Sequence, residues 1–189
     1  MTFFSNRLTI QIQNFTPKFI PQPKGGWFIP VEHNLTGAEK NNFETHLRQI
    51  IEKLGEGIEQ LEINATSIKG EWQGSGKLEK QQGVGEERPY FPAVDDAPVI
   101  LYLHGGGYIA GTAESERKMT YKFAELCQGR VFALNYRLAP QSPFPAALMD
   151  AFIAYKYLTD PPPTALHKAV DPQKIVIGGD SAGVNVVIR

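Results

Sequence analysis

Apolar and polar positions along the 189-residue chain fall into two regimes. Residues 1–35 mix apolar patches with Pro, Gly and Asn at no sustained period, and Trp27-Phe28-Ile29 is an apolar run that must pack somewhere. A helix is then predicted. Thr36-x-x-Glu39 is a capping box, in which each side chain satisfies an orphan backbone N–H of the first turn. Phe43, Leu47, Ile50, Ile51 and Leu54 follow along one stripe, and Gly55 supplies the stop. His46 lies off that stripe and is expected in solvent. Residues 61–72 read as a first strand, at a sheet edge, with partial alternation. From Gln73 to Asp96 the composition turns to Gly, Lys, Glu and Gln; a second strand is expected within it, and 83–88 reads as an exposed turn.

From Asp96 onward strand-like and helix-like segments alternate, the signature of a parallel sheet covered on both faces. Strand 98–103 is followed by a helix over about 114–128, with Met119, Phe123, Leu126 and Cys127 on one side. Cys127 is therefore expected to be a small core residue. Residues 130–137 give the next strand. Pro145 suits the first turn of a helix that runs to about Leu158 and is stopped by Pro161-Pro162-Pro163. His167 falls in the loop that follows and reads as a surface residue. Lys174-Ile175-Val176-Ile177 reads as a short buried strand. Arg137 and Asp150 are placed either to form an ion pair or to stand as unconnected surface charges.

The chemistry sits where two of these strands end. After 174–177 comes Gly178-Gly179-Asp180-Ser181-Ala182-Gly183, followed by small and apolar residues fit to open a helix. Strand, G-x-S-x-G and helix make a nucleophile elbow, a turn so tight that its flanks must be glycine and its serine is left exposed. No lysine precedes Ser181, which rules out a phosphate-binding P-loop. After strand 98–103 comes His104-Gly105-Gly106-Gly107-Tyr108. Such a glycine loop lets backbone N–H groups approach a developing oxyanion, the partner donor being the residue after the nucleophile, Ala182. Residues 105–110 also match G-x-G-x-x-G/A, but no helix opens at once there, as a dinucleotide site requires.

Together with Tyr136-Arg137-Leu138-Ala139-Pro140 and Pro143-Phe144-Pro145-Ala146-Ala147, these two motifs resemble the hormone-sensitive-lipase-like esterases of the α/β-hydrolase superfamily, over roughly residues 97–189. Val184 departs from the family, which often has a further glycine there. The resemblance implies an α/β fold, a mostly parallel sheet with helices on both faces. Residues 1–60 would be a cap-like segment and 61–189 the N-terminal part of the hydrolase core. It implies carboxylic-ester hydrolysis through an acyl-enzyme, with Ser181 as nucleophile and Gly105, Gly106 and Ala182 as oxyanion donors. His104, Gly107, Gly179, Asp180 and Gly183 support the two loops, His104 by shaping the glycine loop and not as general base. The partner is a small-molecule ester or lipid-like substrate, and no cofactor or metal is called for. A non-catalytic binding protein on the same fold is the alternative, since relatives include receptors without the catalytic histidine.

On this fold the acid and then the histidine follow the serine. His33, His46, His104 and His167 all precede Ser181, so the sequence is expected to be truncated after the elbow, without the later strands, and inactive alone. Bulk properties narrow the classes further. A formal net charge of −1 gives no footprint for nucleic acid. No apolar run approaches a membrane span, and Asn6, Arg7, Gln11, Gln13 and Asn14 interrupt any signal-peptide core, which leans toward the cytoplasm. The single Cys127 allows no internal disulfide. Sequons at Asn14, Asn34 and Asn64 matter only in a secretory pathway.

Overall fold

Residues 13, 22–54, 66–76 and 97–188 are described by a computed structural model. Five strands make one sheet: β1 (Gly26–Asn34), β2 (Ser67–Ser75), β3 (Val99–Leu103), β4 (Arg130–Leu134) and β5 (Ile175–Gly179). Their spatial order is β1-β2-β4-β3-β5. β3 pairs in parallel with both β4 and β5, while β2 runs antiparallel to β1 and β4. The helices are α1 (Gly37–Leu54), α2 (Arg117–Cys127), α3 (Ala146–Thr159) and α4 (Ala182–Ile188).

The two faces of the sheet carry different cores. Val99, Leu101, Leu103, Phe132, Leu134 and Trp72 point to the face covered by α3, where Ile153, Ala154 and Leu158 are buried among them. Phe43 of α1 joins this core, its ring 5.0 Å from that of Phe152. On the other face Tyr102, Val131 and Ala133 meet Ala124 of α2. The alternation along β3 and β4 is the period-two pattern of strands covered on both sides.

The capping box closes as read. Thr36 N–H donates to Glu39 Oε2 at 2.7 Å, and Glu39 N–H donates to Thr36 Oγ1 at 3.2 Å. Phe43 and Leu47 are buried, as the stripe predicts. The side chains of Ile50, Ile51 and Leu54 lie outside the described residues, as do Asn14, Gly55, 61–65 with Asn64, and 83–88.

Several expectations are corrected. The strand expected over 61–72 is Ser67–Ser75 within the described residues, and it is interior, because β1 pairs along its whole length. That outer strand comes from residues read as having no period, and it falls within the stretch 1–60. Pro30 is compatible with an edge strand, where a missing N–H breaks no ladder. α2 buries Thr120 and Ala124, while Phe123 is 36% and Leu126 80% exposed. Cys127 is only half-buried. β5, read as buried, is an edge strand with Val176 55% and Ile177 42% exposed. His46 keeps part of its surface in solvent, as expected, with its Nδ1 2.8 Å from Asn42 O.

His167 is not a surface residue. Its Nε2 lies 3.1 Å from Tyr157 O, and its ring meets the edge of Trp72 at 5.0 Å. Burial lowers its pKa to about 4. The Arg137–Asp150 pair does form, at 2.8 Å. Asp150 also accepts the Arg137 backbone N–H at 2.7 Å, so the pair ties the end of β4 to the second turn of α3.

Candidate active site

β5 and α4 meet in a turn at Asp180-Ser181. Ser181 has φ +46, a left-handed conformation in which a non-glycine residue is strained and which recurs at functional turns. Its side chain is exposed and makes no hydrogen bond among the described residues. Close packing dictates the glycines on either side. A Cβ on Gly183 would stand 1.9 Å from Leu103 O, and one on Gly179 2.5 Å from the same oxygen. Nothing lies within 4 Å of a Cβ on Gly178, so that glycine is not required by contact. The elbow is thus pressed directly onto the end of β3.

The glycine loop leaves the end of that same strand. His104 is buried, with Nδ1 2.7 Å from Gly105 O and its ring stacked on Tyr136 at 4.1 Å between centroids. Burial lowers its pKa, so it is neutral near pH 7. The Tyr136 hydroxyl donates to His104 O at 2.6 Å. The expected supporting role of His104 is consistent with this packing.

One role from the sequence is corrected. Gly105 N–H is not available to an oxyanion, because it donates to Asp180 Oδ1 at 2.7 Å. The same oxygen accepts the Tyr102 hydroxyl at 2.8 Å. Burial, and after it the bond to Asp180, raises the Tyr102 pKa, keeping that hydroxyl a proton donor. Asp180 therefore bridges the elbow and the glycine loop. A Cβ on Gly105 would lie 2.1 Å from Asp180 Oδ2, which is why glycine stands there. Among the described residues the amides of Gly106, Gly107 and Ala182 donate to no protein acceptor. Gly107, read only as support, takes the place of Gly105 among the available donors. No sequence signal separates the three glycines; only the side-chain partner of the first does.

None of the four histidines serves Ser181. His104 is committed to the glycine loop, His33 faces Glu39 at 2.8 Å, His46 faces Asn42 O and His167 faces Tyr157 O. Two cavities of about 50 Å³ lie elsewhere, one beside Leu35, Phe43, Ile153 and Tyr157, the other beside Leu134, Arg137 and Asp150. No helix among the described residues is long and apolar enough to cross a membrane.

Comparison with known proteins bears on the half of the chain that holds both loops. Residues 100–189 match the α/β-hydrolase fold family. The acetyl-hydrolase of Streptomyces hygroscopicus is 38% identical over 97 residues, which is 51% of this chain and 30% of that protein. Carboxylesterase NlhH of Mycobacterium tuberculosis is 36% identical over 101 residues, 52% of this chain and 31% of that one. A solved structure of an arylesterase superposes with a TM-score of 0.59 at 19% identity, covering 98% of this chain and 46% of the other, which bears on fold alone. The matched stretch thus spans about a third of these relatives' length. A serine elbow seated on β3, a glycine loop leaving the same strand and the match over residues 100–189 agree on one architecture: this part of the chain has the α/β-hydrolase fold.

Proposed function

We propose that the protein is a carboxylic-ester hydrolase acting through Ser181, with a small-molecule or lipid-like ester as substrate. The observation that carries this reading is the pairing of an exposed serine at φ +46 with unengaged amides on both sides, at Gly106 and Gly107 in the loop and at Ala182 after the serine. The names of the two relatives, an acetyl-hydrolase and a carboxylesterase, support it.

In this scheme Ser181 Oγ attacks the ester carbonyl carbon while a general base takes its proton. The carbonyl oxygen becomes an oxyanion and is met by the free amides, each worth about 3–4 kcal/mol of barrier when lost. Collapse of the tetrahedral intermediate breaks the C–O bond, and the base returns its proton to the leaving alkoxide. Water then repeats the sequence on the acyl-serine. Because no histidine within residues 1–189 reaches Ser181, the base is proposed to come from outside these residues. Residues 1–189 alone are then expected to be all but inactive, since loss of the base in a serine triad costs on the order of a million-fold in kcat.

The test has two arms. In a polypeptide carrying the base, a fluorophosphonate is expected to label Ser181 and Ser181→Ala to abolish both labelling and p-nitrophenyl ester hydrolysis. Turnover that survives Ser181→Ala would remove the serine mechanism, and ligand binding without any turnover would favour a non-catalytic binding protein. Residues 1–189 alone are expected to hydrolyse such esters no faster than their own Ser181→Ala variant.

A further inference from the structure

The glycine loop is held at two ends, and only the first belongs to the elbow. At the His104 end, Tyr136 and Asp180 fix the chain through His104 O and Gly105 N–H. The far end is Ala113, 1% exposed, where the chain turns toward α2. Its carbonyl accepts one long backbone bond, from Glu116 N–H at 3.4 Å, and two side chains bind the residue besides. Ala113 N–H donates to Asn135 Oδ1 at 2.6 Å, and Ala113 O accepts from Gln73 Nε2 at 3.2 Å.

Gln73 is fully buried, an unfavourable place for a carboxamide unless every polar atom is matched. Here they are matched. Nε2 also donates to Glu71 Oε1 at 3.0 Å, and Oε1 accepts the Thr120 hydroxyl. Glu71, 1% exposed, is in turn held by Arg117, whose Nε lies 2.8 Å from it. A flipped carboxamide would set Oε1 against two acceptors, Glu71 and Ala113 O, so its orientation is fixed. Asn135 is fixed by the backbone beside it, where its N–H donates to Lys69 O at 2.9 Å.

Between the two anchors the loop has little room to yield. Gly106 O accepts from Ile109 N at 3.1 Å and from Ala110 N at 3.0 Å. Gly111, at φ +95, passes so close to His104 that a Cβ would stand 2.4 Å from Nδ1 and 2.5 Å from Gly105 O. A shift of Ala113 therefore moves Gly111 against His104 and the Gly105–Gly106 peptide, whose N–H is the Gly106 donor.

We infer that Gln73 and Asn135 are positioning residues for the oxyanion donors, acting through the Ala113 peptide. The inference rests on the serine-hydrolase reading above and names what sets the geometry of that site. Gln73 lies on β2, outside the 100–189 stretch matched to the family, so the N-terminal part of the sheet takes part in the site.

The experiment measures kcat and KM for p-nitrophenyl acetate in the polypeptide carrying the general base. Asn135→Leu, which keeps the bulk and removes the acceptor, is expected to lower kcat about tenfold or more with KM within about twofold, since only the transition state meets a misplaced donor. Asn135→Asp keeps an acceptor oxygen and is expected to recover most of that loss. Hydrogen exchange provides a second readout: amides of 105–112 exchange faster in Asn135→Leu while those of β3 and β4 do not. Gln73→Met repeats the test from the other side should Asn135→Leu fail to fold. Wild-type kcat in Asn135→Leu, or equal loss in Asn135→Asp, overturns the inference while leaving Ser181 in place. Unchanged turnover in Ser181→Ala overturns the underlying reading instead.

Discussion

Replacing Gly106 by alanine tests the site with the smallest possible change. Gly106 has φ +108, a region essentially closed to residues with a Cβ, at a cost of about 1–3 kcal/mol. The new methyl group would also stand 2.2 Å from Ala110 O and 2.6 Å from its carbonyl carbon. Both are backbone atoms, so no side-chain rotation relieves the contact. Ordinary contact begins near 3.4 Å, so the loop has to open by more than about 1 Å. A displacement of that size at a reacting centre costs about a hundredfold. Loss of one oxyanion donor independently gives about 100–1,000-fold in kcat, so the two estimates agree.

The assay is steady-state hydrolysis of p-nitrophenyl acetate in the polypeptide carrying the base, with Ser181→Ala as the floor. Gly106→Ala is expected to lose at least about 100-fold in kcat. Gly107→Ala is the internal comparison. Nothing lies within 4 Å of its Cβ, and φ +63 is the ordinary left-handed region, so it costs about 1–2 kcal/mol of stability without forcing the loop open. If Gly106→Ala turns over within about threefold of wild type, the loop is a structural turn and the oxyanion argument fails.

Two further outcomes can be checked independently. Asp180→Ala strands the Gly105 amide and the Tyr102 hydroxyl, and is expected to lower stability by about 1–3 kcal/mol in urea unfolding as well as slowing turnover; unchanged stability would mean the bridge contributes nothing. His167, with its folded-state pKa lowered to about 4 by burial, contributes stability that is present above its unfolded value near 6.5 and lost as pH falls toward 4. The loss is about 3 kcal/mol at most, and the pH dependence is expected to flatten in His167→Phe; an equally steep dependence in that variant would assign it to other groups.

The parts of the fold legible in the sequence are those whose determinants are local. The capping box needs two residues three apart, and the elbow needs glycines beside one serine, so both could be read directly. β1 escaped because an edge strand need not alternate cleanly, and Pro30 within it argued against a strand at all. The rotation of α2 escaped for another reason. Its apolar residues suggested one buried side, but Glu71 and Gln73 of β2 draw Arg117 and Thr120 inward, turning Phe123 and Leu126 out. His167 is half-buried against Trp72 and Tyr157, neither of them its neighbour in sequence. The same non-local logic removed Gly105 from the donors: the acceptor that takes its amide is 75 positions away.

The exposure of β5 leads to the last prediction. Apolar residues here face both sides of the strand, since Ile175 joins the core on the α3 face while Val176 pairs with Ile100, which packs on the α2 face. Such a strand suits a position with cover on both faces, yet Val176 and Ile177 are 55% and 42% exposed, and one row of its backbone groups has no strand partner among the described residues. Phe123, Leu126 and Val184 add further exposed apolar surface. α4, with seven residues, depends on the packing of Ala182 and Val186 rather than on its own helical propensity. An unpaired apolar strand edge is a template for association. Residues 1–189 alone are therefore expected to elute larger than a monomer at micromolar concentration and to bind a hydrophobic dye. Val176→Lys, which places a charge on the open strand without touching the elbow, is expected to reduce both. A monodisperse monomer that unfolds cooperatively and ignores the dye would show that this edge is satisfied in solution, and the argument from its exposure would fall.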